Sequence, residues 1–214
     1  MRVIVRVNWN IRWPQDFPQR YDPAWYAERL ALWTGYTMPS LLRQTFGSWE
    51  CWLMCDPTLQ HHTIALHDSL PDSRFRMIWH RPTECKRHGH EPVFLCRIDS
   101  DDMYHPDAIA DMAKAVKPDR FVQCMQGYCY SPEAGEVRRW RNPSPAFLGK
   151  MFPAEEFRSA PALDHHGLVA ATSIKIQAPR FVVVCHGGNI SNRFASSDTV
   201  QGAEREQVKV DYGI

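Results

Sequence analysis

Four short apolar runs in the first half of this chain, residues 3–7, 49–55, 75–79 and 92–98, alternate with helix-like segments. That alternation restricts the chain to an α/β fold with a largely parallel central sheet. Asp22-Pro23 pairs an N-cap residue with Pro at the first helical position, and residues 24–35 are helical in composition. A second helix is expected over 38–46, after a break at Pro39. Over 105–116, Ile109, Met112, Ala113 and Val116 share one helical face, with Pro118 closing the segment. The second half holds more strand and loop. Residues 121–130 and 136–141 read as a hairpin around Ser131-Pro132-Glu133-Ala134-Gly135, and 181–185 as a last strand before His186-Gly187-Gly188.

A chain of 214 residues is long enough to bury a core without staples. A net charge of +1 gives no general attraction to nucleic acid or to an anionic membrane. The seven cysteines are an odd set without a framework, which reads as free thiols in a reducing compartment. The apolar start is interrupted by Arg2 and Arg6, unlike a signal peptide, and no run of eighteen apolar residues occurs. A cytoplasmic location is expected, with peripheral association to a membrane left open.

The informative stretch is Leu95-Cys96-Arg97-Ile98-Asp99-Ser100-Asp101-Asp102, an apolar strand running into three carboxylates. If the extended backbone continues, Asp99 and Asp101 point to the same side. Carboxylates held so close require either a protonated member or a cation beside them. Oxygen ligands of this kind suit Mg²⁺ or Mn²⁺. Ligands of open α/β sheets bind beyond the carboxyl ends of the strands, where this cluster falls. A divalent ion there bridges naturally to a diphosphate. The competing reading is that these acids cap the following helix.

This stretch, with His105-Pro106-Asp107, resembles the Asp-X-Asp region of inverting family-2 glycosyltransferases. The putative rhamnosyltransferase-like branch is resembled further by Met38-Pro39-Ser40-Leu41-Leu42-Arg43-Gln44-Thr45, by Leu53-Met54-Cys55-Asp56-Pro57, and by Gly127-Tyr128 with Asn142-Pro143-Ser144-Pro145-Ala146-Phe147-Leu148. His186-Gly187-Gly188-Asn189-Ile190-Ser191-Asn192-Arg193 completes the series, so the resemblance runs from about Arg6 to Arg193.

The resemblance implies a GT-A fold, a Rossmann-like, mostly parallel sheet flanked by helices. It spans one domain over residues 1–200, with a nucleotide-sugar half at 1–102, an acceptor half at 103–200, and a polar tail at 201–214 expected to be loosely ordered. It implies that Asp56 contacts the base or ribose, that Asp99 faces the nucleoside and belongs to the metal ligands, and that Asp101 is the main metal ligand supported by Asp102. His186 completes the metal site, and Arg97 pairs with these acids or with a phosphate. Gly187, Gly188, Asn192 and Arg193 approach the diphosphate. The base that takes the acceptor proton is expected at Asp164, with His165 or His166 as alternatives. The implied donor is a nucleoside-diphosphate sugar. The acceptor class stays open among saccharide, lipid-linked sugar, protein and, as a minority case, a DNA base.

Other readings have less behind them. No Gly-X-Gly-X-X-Gly or Walker-type loop is present. A Mg²⁺-dependent nucleotidyltransferase needs a Gly-rich triphosphate loop near the first strand, and residues 7–20 contain no Gly. A non-catalytic sugar- or nucleic-acid-binding protein has no need of clustered carboxylates. Cys85, His88, His90 and Cys96 match no common zinc spacing.

Overall fold

The β-branched run at the start forms β1 (Arg2–Asn8), and every residue from Val3 to Val7 is buried. In the computed structural model, which describes residues 1–11, 18–79, 91–141, 146–157, 173–187 and 198–214, β1 lies at the centre of the parallel half. It pairs in parallel with β2 (Trp49–Cys55) on one side. On the other it pairs in parallel with a later strand, Val93–Asp99. β3 (Phe75–Trp79) adds to β2, so with Val93–Asp99 as β4 the order is β3-β2-β1-β4. This is the Rossmann strand order. β1, β2 and β4 are buried on both faces, as parallel strands covered by helices must be. Val3, Val5, Val7, Phe94, Cys96 and Ile98 face one core cluster with Trp33 and Leu41. Ile4, Trp52 and Leu95 face another with Phe157.

The sheet continues through strands of mixed direction. β5 (Met103–Tyr104) is a short antiparallel partner of a long last strand, Ile174–Val184. β6 (Phe121–Ser131) and β7 (Glu136–Arg141) form the expected hairpin, with Gly135 at φ 62° in the turn. β8 (Leu148–Phe152) stands between β4 and β6, antiparallel to both. The last strand, β9 (Ile174–Val184), pairs in parallel with β6. The nine strands among the described residues form one mixed, helix-flanked sheet, so the fold is α/β.

Helix α1 (Pro23–Leu32) starts as expected, with the Asp22 carboxylate accepting from the Ala24 N–H at 2.9 Å. It does not break at Pro39. A π-helical turn, Trp33–Thr37, joins it to α2 (Met38–Leu42), and the Met38 N–H reaches back to the Trp33 carbonyl. Pro39 has no N–H for an α-helical bond and its ring would crowd the carbonyl four residues back, and the wider turn accommodates both. α3 (Ile64–Ser69) is short, and α4 (Ala108–Ala115) buries Ala108, Ile109 and Met112. Residues 201–214 are not a loose tail. They form α5 (Gly202–Tyr212), whose Val208 and Tyr212 are buried against Tyr128, Val137 and Val182, and Arg43 donates to the Tyr212 carbonyl. Two apolar positions one turn apart are enough to dock a helix whose remaining surface is polar.

The six described cysteines are free and buried. Among the described residues no helix is long and apolar enough to cross a membrane.

Strands β6 and β9 leave no room for a side chain at Gly127. A Cβ there would lie 2.3 Å from the Phe181 carbonyl oxygen and 2.6 Å from its ring. Backbone cannot yield as a flexible side chain does, so Gly127→Ala is expected to destabilise the fold by about 3 kcal/mol. A lowered urea midpoint with an unchanged slope would register it.

Candidate active site at the carboxyl ends of the strands

Strand β4 delivers Asp99 to the carboxyl edge of the sheet, level with Asn8 of β1. The extended backbone stops there. The Asp102 N–H donates to the Asp99 carbonyl at 3.3 Å, closing a turn through Ser100 and Asp101. The expectation that Asp99 and Asp101 share a side by strand alternation therefore fails, because the alternation ends one residue too early. β5 follows at once and is anchored by the Tyr104 hydroxyl, which donates to the Arg97 carbonyl at 2.6 Å.

The three acids have separate surroundings. Asp99 is half-exposed and accepts from Arg97 at 3.1 Å. The Asp101 Oδ2 accepts from Arg29 Nη1 of α1 at 2.9 Å and lies 3.1 Å from His186 Nε2. The Asp102 Oδ1 accepts from the Val184 N–H at 3.1 Å, binding the turn to the end of β9. The other ring nitrogen of His186 lies 3.1 Å from Glu28 Oε1, and Arg29 also donates to the Ser100 hydroxyl. Residues from α1, the β4–β5 turn and the end of β9 thus converge on Asp101.

Electrostatics separate the adjacent acids. Burial works against ionisation of Asp101, but the Arg29 charge and the hydrogen bond from His186 hold its carboxyl below the usual range. Asp102 is pushed well above that range, first by burial and then by the charges of Asp101 and Asp99. The site thus meets the crowding of its acids in two ways, with a cation against one and a favoured proton on the other.

Asp56 ends β2 and caps the 3₁₀ turn Pro57–Thr63. Its Oδ1 accepts from the Thr58 N–H at 2.8 Å and the Thr58 hydroxyl at 2.7 Å, and its Oδ2 pairs with Arg20. Its own N–H donates to Asn10 Oδ1 at 2.7 Å, and Asn10 in turn receives support from Tyr26, whose hydroxyl accepts at 3.0 Å. Burial opposes the Asp56 charge, but the Thr58 hydrogen bonds and Arg20 keep its carboxyl below the usual range. The Tyr26 ring stacks on His62 at 4.5 Å beside it.

Gly187 follows His186 in a turn. Asp164, His165, His166, Gly188, Asn192 and Arg193 lie outside the described residues, as do Cys85, His88 and His90. Glu28, Arg29 and Arg20 were not expected. Glu28 and Arg29 look like ordinary solvent-facing charges of an amphipathic helix, and only the tertiary fold brings Arg29 across 72 positions to Asp101 and Glu28 across 158 to His186.

The donor set can be tested against a divalent ion. Among the described residues no three His, Cys, Asp or Glu side chains gather as a metal cage. Asp101 and His186 nevertheless bring an oxygen and a nitrogen within 3.1 Å of each other. Mg²⁺ at phosphate-transfer sites is held by one or two carboxylates and fills its shell with water and phosphate oxygens. Asp101 offers one such carboxylate, its Oδ2 here shared by Arg29 and His186, whereas Asp102 Oδ1 accepts from the Val184 amide.

No family model matches this sequence, and no curated protein matches it. Among solved structures, S. aureus TarS residues 1–349 in complex with UDP-GlcNAc is similar, with 12% identity, 99% of this chain and 71% of that chain covered, and a TM-score of 0.47. A second structure of S. aureus TarS 1–349 has 10% identity, 86% and 60% coverage, and a TM-score of 0.44.

The raised Asp102 makes a pH prediction. Its folded-state pKa lies above the unfolded value of about 3.9, so its proton contributes stability that is present below that value and lost as pH rises through the folded pKa. Asp102→Asn keeps an acceptor for the Val184 N–H and removes the charge. The stability of the variant relative to the parent is expected to rise from acid toward neutral pH. Urea denaturation at several pH values with a chelator present measures this difference.

Proposed function

We propose that the protein is an inverting, metal-dependent glycosyltransferase of the GT-A type that moves a sugar from a nucleoside diphosphate to an acceptor hydroxyl. The convergence of Asp101, His186 and Arg29 beyond the carboxyl ends of β4 and β9 carries this reading. The β3-β2-β1-β4 order supports it, because this arrangement leaves a nucleotide crevice at that edge.

In this reading Asp56, with Arg20 and the Tyr26–His62 stack, lines the nucleoside end of the crevice, and Asp99 faces the ribose. Asp101 and His186 hold Mn²⁺ or Mg²⁺, and Asp102 keeps the turn in place. A cation held there would supply positive charge for the leaving diphosphate. Arg29 stands beside Asp101 and adds a second positive charge on the same side. Gly187, Gly188, Asn192 and Arg193 border the diphosphate. The acceptor hydroxyl attacks from the opposite face of the sugar, and its proton passes to Asp164, or else to His165 or His166. The configuration at the anomeric carbon inverts.

Calorimetric titration with UDP, GDP and dTDP, with and without Mn²⁺, tests the donor site. At least one nucleotide is expected to bind in a Mn²⁺-dependent manner, and Asp101→Ala is expected to remove that dependence while circular dichroism stays unchanged. Equal affinity in the variant would reject the assignment. Once the acceptor is known, Asp164→Asn is expected to lower turnover by about 10²–10⁴-fold with donor affinity unchanged.

A further inference from the structure

Two neighbouring side chains of α1 reach one pair of residues. Glu28 and Arg29 project about 100° apart around the helix, which is anchored by its buried Tyr26 and Leu32. Arg29 Nη1 donates to Asp101 Oδ2 at 2.9 Å, and Glu28 Oε1 lies 3.1 Å from His186 Nδ1. The two targets touch in turn, with His186 Nε2 3.1 Å from the same Asp101 oxygen. The carboxylate of the pair thus meets a cation from α1, and the imidazole meets a carboxylate.

The His186 ring stands between two acids, Glu28 at one nitrogen and Asp101 at the other. A neutral imidazole has one N–H and one lone pair, and the hydrogen bond made by one nitrogen sets the state of the other. With its proton on Nε2, the ring points that proton at Asp101 and has no lone pair there for a cation. With its proton on Nδ1, the ring donates to Glu28, and Nε2 turns a lone pair toward the Asp101 oxygen. The ring is 10% exposed, so solvent competes weakly for its nitrogens.

We infer that Glu28 is a positioning residue for His186: its carboxylate holds the ring proton on Nδ1 and so leaves Nε2 to face a divalent cation beside Asp101. The cation's place rests on the donor-site reading, whereas the Glu28–His186 contact stands on its own distance. A carboxylate behind a metal-bound imidazole fixes its tautomer and orientation and raises its basicity, and losing it costs about 10–100-fold in metal affinity. Glu28 is itself 48% exposed. A pair so open to solvent contributes little to folding, so the residue can be replaced without loss of the structure.

Two readouts on the full-length protein test the inference. Long-range proton–nitrogen NMR of histidine-labelled protein, with His186→Gln identifying the His186 signals, reports which nitrogen carries the proton. Glu28→Ala is expected to shift His186 from the Nδ1–H toward the Nε2–H form, and Glu28→Gln, which keeps an acceptor oxygen, to shift it less. Titration with Mn²⁺, alone and with UDP, GDP or dTDP present, is followed by the electron paramagnetic resonance of the free ion. The Mn²⁺ affinity is expected to fall about 10–100-fold in Glu28→Ala and less in Glu28→Gln, with circular dichroism unchanged. Tautomer populations that do not move in Glu28→Ala reject the inference. So does an affinity that falls in Asp101→Ala and His186→Ala but not in Glu28→Ala, and in that case the donor-site reading survives. No Mn²⁺ binding under any of these conditions, or an affinity that neither Asp101→Ala nor His186→Ala moves, rejects the donor-site reading and the inference with it.

Discussion

The hydrogen bond from the Val184 N–H to Asp102 joins the turn after β4 to the end of β9, and the candidate site depends on that junction. It adds to the β5–β9 pairing that already joins the segments of Asp101 and His186, which are separated by 85 positions. With it, the β4–β5 turn and the β9 end form one rigid corner, reinforced where the Cys185 N–H donates to the Tyr130 carbonyl at 2.8 Å. Arg29 then has a fixed target. A buried acceptor on a buried donor is what gives such a contact its leverage, since leaving either one unpaired carries the full desolvation cost.

The same corner explains how adjacent acids coexist. Arg29 and His186 both stand against Asp101, while Asp102 faces a backbone amide and bears the raised pKa. Under the proposed function, a divalent ion at Asp101 would meet a carboxylate whose charge is favoured but also an arginine in competition for it. An anionic diphosphate changes that balance, because Arg29 then has a second negative partner within the same crevice. If the proposed donor site is right, metal and nucleotide would favour each other's binding through this one side chain.

Much of the parallel half was legible because buried strands read as apolar runs: β1, β2, β3 and β4 stand within a residue or so of their expected bounds. The hairpin was legible from its Pro- and Gly-bearing turn. β8 was not, because Gly149 and Lys150 interrupt a run of five residues. The first part of β9 was hidden by Pro179 and by its partly exposed alternation, and only its buried end announced a strand. The acidic cluster was visible as a cluster. The separate partners of its three acids were not, since a turn through Ser100 and Asp101 ends the strand alternation there. Asp56 caps a turn and stands at the carboxyl end of β2.

The insertion of β8 has a consequence for the geometry of the whole sheet. β8 runs antiparallel to β4 and to β6, so two reversals return β6 to the direction of β4, and β9 follows β6 in parallel. The carboxyl ends of β1, β2, β4, β6 and β9 consequently open on one edge, although the strands come from distant parts of the chain. A sheet that stayed antiparallel after β4 would have sent the end of β9, and His186 with it, to the opposite edge. The close approach at Gly127 keeps β6 and β9 in this relation by excluding any side chain between them and the Phe181 backbone. The parallel step from β6 to β9, after one antiparallel strand of five residues, thus decides on which edge of the molecule the second half can contribute to the site that the first half begins.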